Sequence, residues 1–222
     1  MTWIPLHVHS HWSLLDGVPS IPELVDFARS AALPALALTD TNALYGAIDF
    51  VACCRKAGIQ PIIGAELSLE GNRHVILLAQ SQAGYGNLCK LVTLLQARPD
   101  REEALAHGLP LSDLAPHTDD LVALCDGEDA EALRDLFDRD CLFIETSNPA
   151  QASQLQTLAD RLGLSVVATH PTHYLHPDDA LRYRVLRAMR HGVRLGDLPA
   201  PPDLSFPSPE TMQRRFADFP EV

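Results

Sequence analysis

The stretch Leu6-His7-Val8-His9-Ser10 decides how the rest of this sequence is read. In an extended strand successive side chains point to opposite faces, so His7 and His9 project to the same side. Two imidazoles so placed can hold one or two metal ions. The pair closes a short apolar run, residues 4–8, and is followed by a polar loop to Asp16 and Gly17. That context fits a buried strand delivering ligands at its C-terminal end, where sites sit in barrels and in open α/β sheets. Taken alone, most such pairs are two histidines making ordinary hydrogen bonds at a strand end.

Working outward, short apolar runs alternate with amphipathic helical stretches. Residues 20–32 predict a helix capped by Ser20, with Pro22 in its first turn and Leu24, Val25, Phe27 and Ala28 inward. Residues 35–39 predict a strand ending in Asp40. Residues 42–57 return to helix, with Leu44, Ile48, Val51 and Ala52 inward and Gly58 as the stop. A third strand, 61–69, carries Glu66, and a fourth, 74–79, starts at His74 and leads into a helix at 85–96. This repeating β-α-β pattern implies parallel strands with helical crossovers. Residues 99–116 fit a loop with one short helix near 101–107. Order resumes with strand 121–125, helix 130–138, strand 141–145, helix 150–162 and strand 165–169. A last long helix, 178–191, has Leu181, Val185, Leu186 and Met189 on one face, and a Pro-rich tail leads to a helical turn near 210–217. Seven strands with helices between them are enough to close an α/β barrel; an open doubly wound sheet is the alternative.

Composition narrows the function classes. With 222 residues, 46% hydrophobic and 21% charged, the chain can bury a substantial core. Its formal charge of -12 argues against an extensive nucleic-acid-binding surface, because phosphate contacts need Lys and Arg in numbers. Five cysteines, an odd number without C-x-x-C spacing, point to a reduced, cytoplasmic protein. No stretch is suited to span a bilayer, and the first residues lack a signal-peptide pattern.

The polar ligand-type residues track the strand ends: His7 and His9, then Asp40, Glu66, His74, and His170 with His173. Carboxylates and imidazoles converging there suit borderline ions such as Zn, Mn or Fe, and Glu66 could bridge two of them. The matching chemistry is hydrolysis of a phosphate ester.

These residues resemble a known family. Leu6 to Ser10, followed by Ser13-Leu14-Leu15-Asp16-Gly17, then Pro34-Ala35-Leu36-Ala37-Leu38-Thr39-Asp40, Leu44-Tyr45-Gly46 and Gly58-Ile59-Gln60-Pro61-Ile62-Ile63-Gly64-Ala65-Glu66, look like the PHP (polymerase and histidinol phosphatase) domain. More closely they are similar to its version at the N-terminus of the bacterial replicative DNA polymerase III alpha subunit. The likeness continues through His74 to Ala79, Gly84 to Leu88, His173-Tyr174-Leu175 and Ser208-Pro209-Glu210.

The resemblance implies a distorted seven-stranded β/α barrel (PHP, TIM-like) over residues 1–198, with 199–222 as a Pro-rich exit segment toward an absent polymerase region. It implies up to three divalent ions, Zn, Mn or Fe, held by His7, His9, Asp16, Glu66, His74 and His173, with a metal-bound hydroxide as nucleophile and no side chain assigned as catalytic. Three positions depart. Thr41 stands where active members have His, the family's Cys falls near Gly127 with Cys125 two residues earlier, and the last Asp is Pro171 beside His170. Two function classes follow. One is a structural or partner-docking module in DNA replication, tied to downstream polymerase domains, a proofreading exonuclease subunit and, indirectly, DNA. The other is a phosphoesterase, acting as a 3′ to 5′ exonuclease or as a small-molecule phosphatase of the histidinol phosphate type.

Overall fold

The computed structural model describes residues 3–219. In chain order the elements are α1 (Ile21–Ser30), β1 (Ala35–Leu38), α2 (Ala47–Ala57), β2 (Gln60–Leu69), β3 (Arg73–Ala79), α3 (Gln82–Gln96), α4 (Arg101–His107) and α5 (Leu111–Leu114). They continue with β4 (Leu121–Cys125), α6 (Ala130–Leu133), β5 (Leu142–Thr146), α7 (Pro149–Leu162), β6 (Ser165–Ala168), α8 (Ala180–His191) and α9 (Pro209–Arg215). The local signals act as the chain predicts. Ser20 and Glu23 form a reciprocal capping box at the start of α1, and Gly58 ends α2 in the left-handed conformation at φ 73°.

Among the described residues the six strands form one curled sheet in the order β1-β2-β3-β4-β5-β6. Two expectations change here. β3 runs antiparallel to both β2 and β4, while the remaining pairs are parallel. The connection is a hairpin rather than a helical crossover, made by Gly71 and Asn72 at φ 80° and 61°. The second change is at residues 4–8, which are not a strand. Val8 makes only an isolated parallel bridge to Thr172. The segment is nonetheless held on both sides: Ala37 and Thr39 donate to the carbonyls of Pro5 and Val8, while His9 donates to Thr172 and Thr172 back to His7.

The two faces of the strands carry different cores. On one, α1 and α2 pack Ile21, Leu24, Val25, Phe50 and Cys54 against Leu36, Leu38 and Val8. A second cluster packs Leu88 and Leu91 of α3 and Ala159 of α7 against Leu67, Leu77, Ala123 and Ile144. The alternate positions Ala37, Ile76, Leu78 and Leu124, with Ile62, Val122, Phe143 and Val167, form a third cluster on the opposite strand face. Each fully buried large side chain contributes about 1.5–3 kcal/mol. The burial phase of α2 differs from the expectation: Ala47, Phe50 and Cys54 point inward and Ile48 is 72% exposed. The helix expected over 130–138 is the single turn α6. Leu181, Val185 and Met189 do share one face of α8, and that face is exposed.

Residues 203–206 lie beside the segment after β6. Phe206 donates to the Tyr174 carbonyl, and its ring is buried in the cluster of α1 and α2.

Candidate metal centre

Strand alternation puts the site on top of the third cluster. Ile62, Gly64 and Glu66 share one face of β2, and in the β2–β3 register Glu66 lies opposite Ile76 and Ser68 opposite His74. Because β3 is antiparallel, its first residues arrive at the C-terminal end of β2, which brings His74 to the site although it lies near the start of its strand. On β5, Phe143 and Glu145 repeat the pattern of apolar floor and polar tip.

His7, His9 and Glu66 each offer a ligand atom within 4.8 Å of the others. The His7 Nε2 lies 3.9 Å from Glu66 Oε1, and His9 Nε2 lies 4.0 Å from Oε2. His74 stands at the rim, half-exposed, with Nδ1 3.9 Å from Glu66 Oε1. His173 stacks on His9 with ring centroids 4.2 Å apart. The structure therefore brings five of the six residues implied by the resemblance to one place.

The neighbours of His9 fix its tautomer. Ser13 Oγ donates its one proton to Asp40 Oδ1 at 2.7 Å, and the same oxygen accepts from the Thr41 amide at 3.0 Å. Its remaining contact is His9 Nδ1 at 3.0 Å, which must donate. The His9 Nε2 is thus a bare lone pair facing Glu66. Burial, then the neighbouring His173 and His7, holds the His9 imidazole well below its ordinary pKa, in the neutral form that a ligand requires. Asp40 itself stands behind the site, accepting from the Ser10 amide, the Ser10 hydroxyl and Ser13. Burial raises its pKa against those hydrogen bonds.

Glu145 is the residue that sequence reasoning missed. Its Oε2 lies 3.4 Å from His7 Nδ1, within ion-pair range but not aligned as a hydrogen bond, and accepts from the Thr169 hydroxyl at 2.7 Å. Burial opposes charge on both partners, yet their attraction wins: His7 is raised and Glu145 lowered from their ordinary values. Its signal in the sequence was a lone carboxylate near the end of the apolar strand 141–145.

The remaining candidates sit elsewhere. Asp16 is buried, but its Oδ2 accepts from Arg190 at 2.8 Å, and Tyr183 Oη and Arg187 lie 3.3 and 3.5 Å from Oδ1. Its backbone carbonyl accepts from His173 Nδ1 at 2.6 Å, and its Oδ1 lies 4.0 Å from the same nitrogen. The loop that carries it is tight: a side chain at Gly17 would run into the Ser10 carbonyl. Thr41 donates to Glu66 Oε2 at 2.9 Å where a family imidazole would stand. His170 does not fill the gap left at Pro171, because its Nδ1 contacts Arg215 at 2.9 Å. Burial and then Arg215 push it down to about 4. Cys125 is a core residue whose Sγ points at the Phe143 carbonyl, and burial pushes its thiol up.

Both nitrogens of His7 and the Nε2 of His9 are buried without a hydrogen-bond partner. Such orphaned groups are costly unless something fills the space between them. Two imidazoles and a carboxylate converging on one point suit a borderline divalent ion, and the residues present fit one.

The family model described as the PHP domain matches residues 5–162. The chain belongs to the PHP domain family. It is 33% identical to DNA polymerase III subunit alpha of Chlamydia muridarum, the match covering all of this chain and 23% of that protein. It is 35% identical to the error-prone DNA polymerase of Symbiobacterium thermophilum, again over all of this chain and 24% of that protein. The chain thus spans about a quarter of the length of these relatives. In fold it is similar to a putative metal-dependent phosphoesterase from Bifidobacterium adolescentis, with a TM-score of 0.54, 13% identity, and coverage of 96% of this chain and 95% of that one. The curled α/β sheet agrees with that PHP, TIM-like architecture. No helix among the described residues is long and apolar enough to cross a membrane.

Proposed function

We propose that this PHP domain serves a DNA polymerase III alpha-type protein as a structural and partner-docking module that keeps a reduced divalent-metal centre. The observation that carries this reading is the depleted ligand set around intact imidazoles. Thr41 fills a ligand position with a hydroxyl committed to Glu66, and Pro171 offers no ligand atom at all. Hydrolytic centres need ligand number and geometry together. His7, His9 and Glu66 would hold the ion, with Glu145 orienting His7, and His74 and His173 at the margin.

In this reading residues 4–9 act as the seventh stave of the barrel, hydrogen-bonded between β1 and the segment after β6. Residues 199–222 lead from the domain toward downstream polymerase domains. A proofreading subunit is the partner class this docking role would serve, and DNA is met indirectly. An ion such as Zn, Mn or Fe held by these residues would supply cross-linking charge between the strand ends.

The test compares the chain with a His9→Ala/Glu66→Ala double variant, each saturated with Mn²⁺ or Zn²⁺. Thermal stabilisation by metal should be lost in the variant, while hydrolysis of 3′ DNA ends and of phosphomonoesters stays at the variant's background. Hydrolysis well above that background would overturn the structural reading in favour of a phosphoesterase.

A further inference from the structure

Seven of the chain's arginines lie in residues 182–215, outside the part matched by the family model, although the chain as a whole is strongly acidic. Two of them meet Asp16, which borders the candidate centre through His173. Arg190 Nη1 sits 2.8 Å from Asp16 Oδ2, and Arg187 Nη1 sits 3.5 Å from Oδ1 while donating to the Tyr183 hydroxyl at 3.0 Å. The Tyr183 hydroxyl in turn donates to Asp16 Oδ1. Both oxygens of the Asp16 carboxylate are therefore engaged from α8.

We propose that Arg190, backed by Arg187, takes the place of a metal ion at Asp16, so that this centre binds one divalent ion, at His7, His9 and Glu66. The inference rests on the metal-centre reading above and adds the number of ions and the reason for it. A guanidinium cannot be deprotonated in a protein and presents fixed donors rather than lone pairs. It satisfies Asp16 and repels a dication from the same carboxylate. Charge leads to the same count. Asp16, Glu66 and Glu145 bring three negative charges to the site, two guanidiniums offset two of them, and one divalent ion already turns the remainder slightly positive. A second ion beside Arg190 would add two more positive charges around the buried Asp16 carboxylate. On the other side, His9 Nε2 and both His7 nitrogens lack partners, so only that half asks for an ion.

The test is the metal stoichiometry of the purified chain after equilibrium dialysis against Mn²⁺, read together with its Mn²⁺ electron paramagnetic resonance spectrum. The chain should bind one equivalent and give an isolated six-line signal. An Arg187→Met/Arg190→Met variant, which keeps the side-chain volume, should rise to two equivalents with an exchange-broadened spectrum. Adding Asp16→Asn to that variant should return it to one. An exchange-coupled pair in the unmodified chain would overturn the inference without recourse to any variant, should the substituted proteins fail to fold. One equivalent in both the chain and the folded double variant would overturn the arginine's role and leave the metal centre standing. No bound Mn²⁺ or Zn²⁺ in the unmodified chain would overturn the metal-centre reading, and this inference with it.

Discussion

Replacing Glu145 by Gln separates an orienting carboxylate from a ligand. In the structure Glu145 Oε2 holds two neighbours, the Thr169 hydroxyl at 2.7 Å and His7 Nδ1 at 3.4 Å. A Gln there keeps the volume but offers a neutral oxygen to both donors and brings an N–H of its own. His7 then loses the first of the two carboxylates that raise its pKa, leaving burial opposed by Glu66 alone. With an ion bound, His7 must present a bare Nε2 and an Nδ1–H, and a carboxylate behind the Nδ1–H fixes that tautomer and sharpens the ligand's basicity. Loss of such an outer partner typically weakens metal affinity about 10–100-fold. That is about 1.4–2.7 kcal/mol. At roughly 2–4 °C per kcal/mol for a chain of this size, the thermal shift produced by a fixed Mn²⁺ concentration should shrink by about 3–10 °C. The assay is thermal unfolding across a Mn²⁺ or Zn²⁺ titration, with the apparent Kd taken from the midpoint shift. An affinity within twofold of the unmodified chain would refute the orienting role. A loss as complete as that of Glu66→Ala would refute it in the other direction, by making Glu145 a ligand.

Three further outcomes follow from the same geometry. Thr41→His places an imidazole where a hydroxyl now donates to Glu66; isothermal titration should show metal binding at least about tenfold tighter, since a ligand replaces a net hydrogen bond of about 1 kcal/mol, and unchanged affinity would exclude position 41 from the centre. His170 is held neutral, at about 4 against an ordinary 6.5, so the unfolded chain binds its proton first. Stability should therefore be undiminished above pH 6.5 and fall by up to about 3 kcal/mol between pH 6.5 and 4, and His170→Asn should flatten that slope in urea unfolding. In α2, Phe50→Ala should cost about 3–5 kcal/mol, whereas Ile48→Ala should stay within about 0.5 kcal/mol. Equal costs would mean that the buried face of α2 is misplaced.

What was legible in the sequence was local. The His7 and His9 pair, the Ser20 cap with its Glu23 partner and the Gly58 stop each need only near neighbours to act, and each does so. The direction of β3 was not legible from hydrophobic runs, which look alike whether a hairpin or a crossover joins them. The signal lay in the shortness of the link, Glu70-Gly71-Asn72, too few residues for a helix and with Gly71 and Asn72 in the left-handed region. The phase of α2 failed because Ile48 outranks Ala47 in hydrophobicity, while tertiary packing chose Phe50 and Cys54. Asp16 shows the limit most clearly. Its identity matches the family pattern, but what it binds is decided by Arg187 and Arg190 some 170 positions away, a distance at which no spacing rule operates.

The centre's own energetics bear on why an incomplete ligand set would persist in a domain with a structural task. Each buried polar atom without a partner costs about 1–3 kcal/mol, and three such nitrogens sit on His7 and His9 alone. Against a net stability of about 5–15 kcal/mol for a folded domain, that is a large burden to carry empty. The Glu145 and Glu66 carboxylates, which raise the His7 pKa against its burial, relieve part of it there, but burial and the adjacent imidazoles hold His9 well below its ordinary value. His9 and Glu66 would hold a single divalent ion in the proposed centre, with Glu145 left to steady His7. An ion held there would tie residues 7 and 9 to β2, across a segment that forms no strand of its own and is joined to its neighbours by two backbone bonds on each side. Such an ion would contribute most where that segment lacks a regular ladder, a stabilising use for the retained imidazoles that needs no hydrolysis.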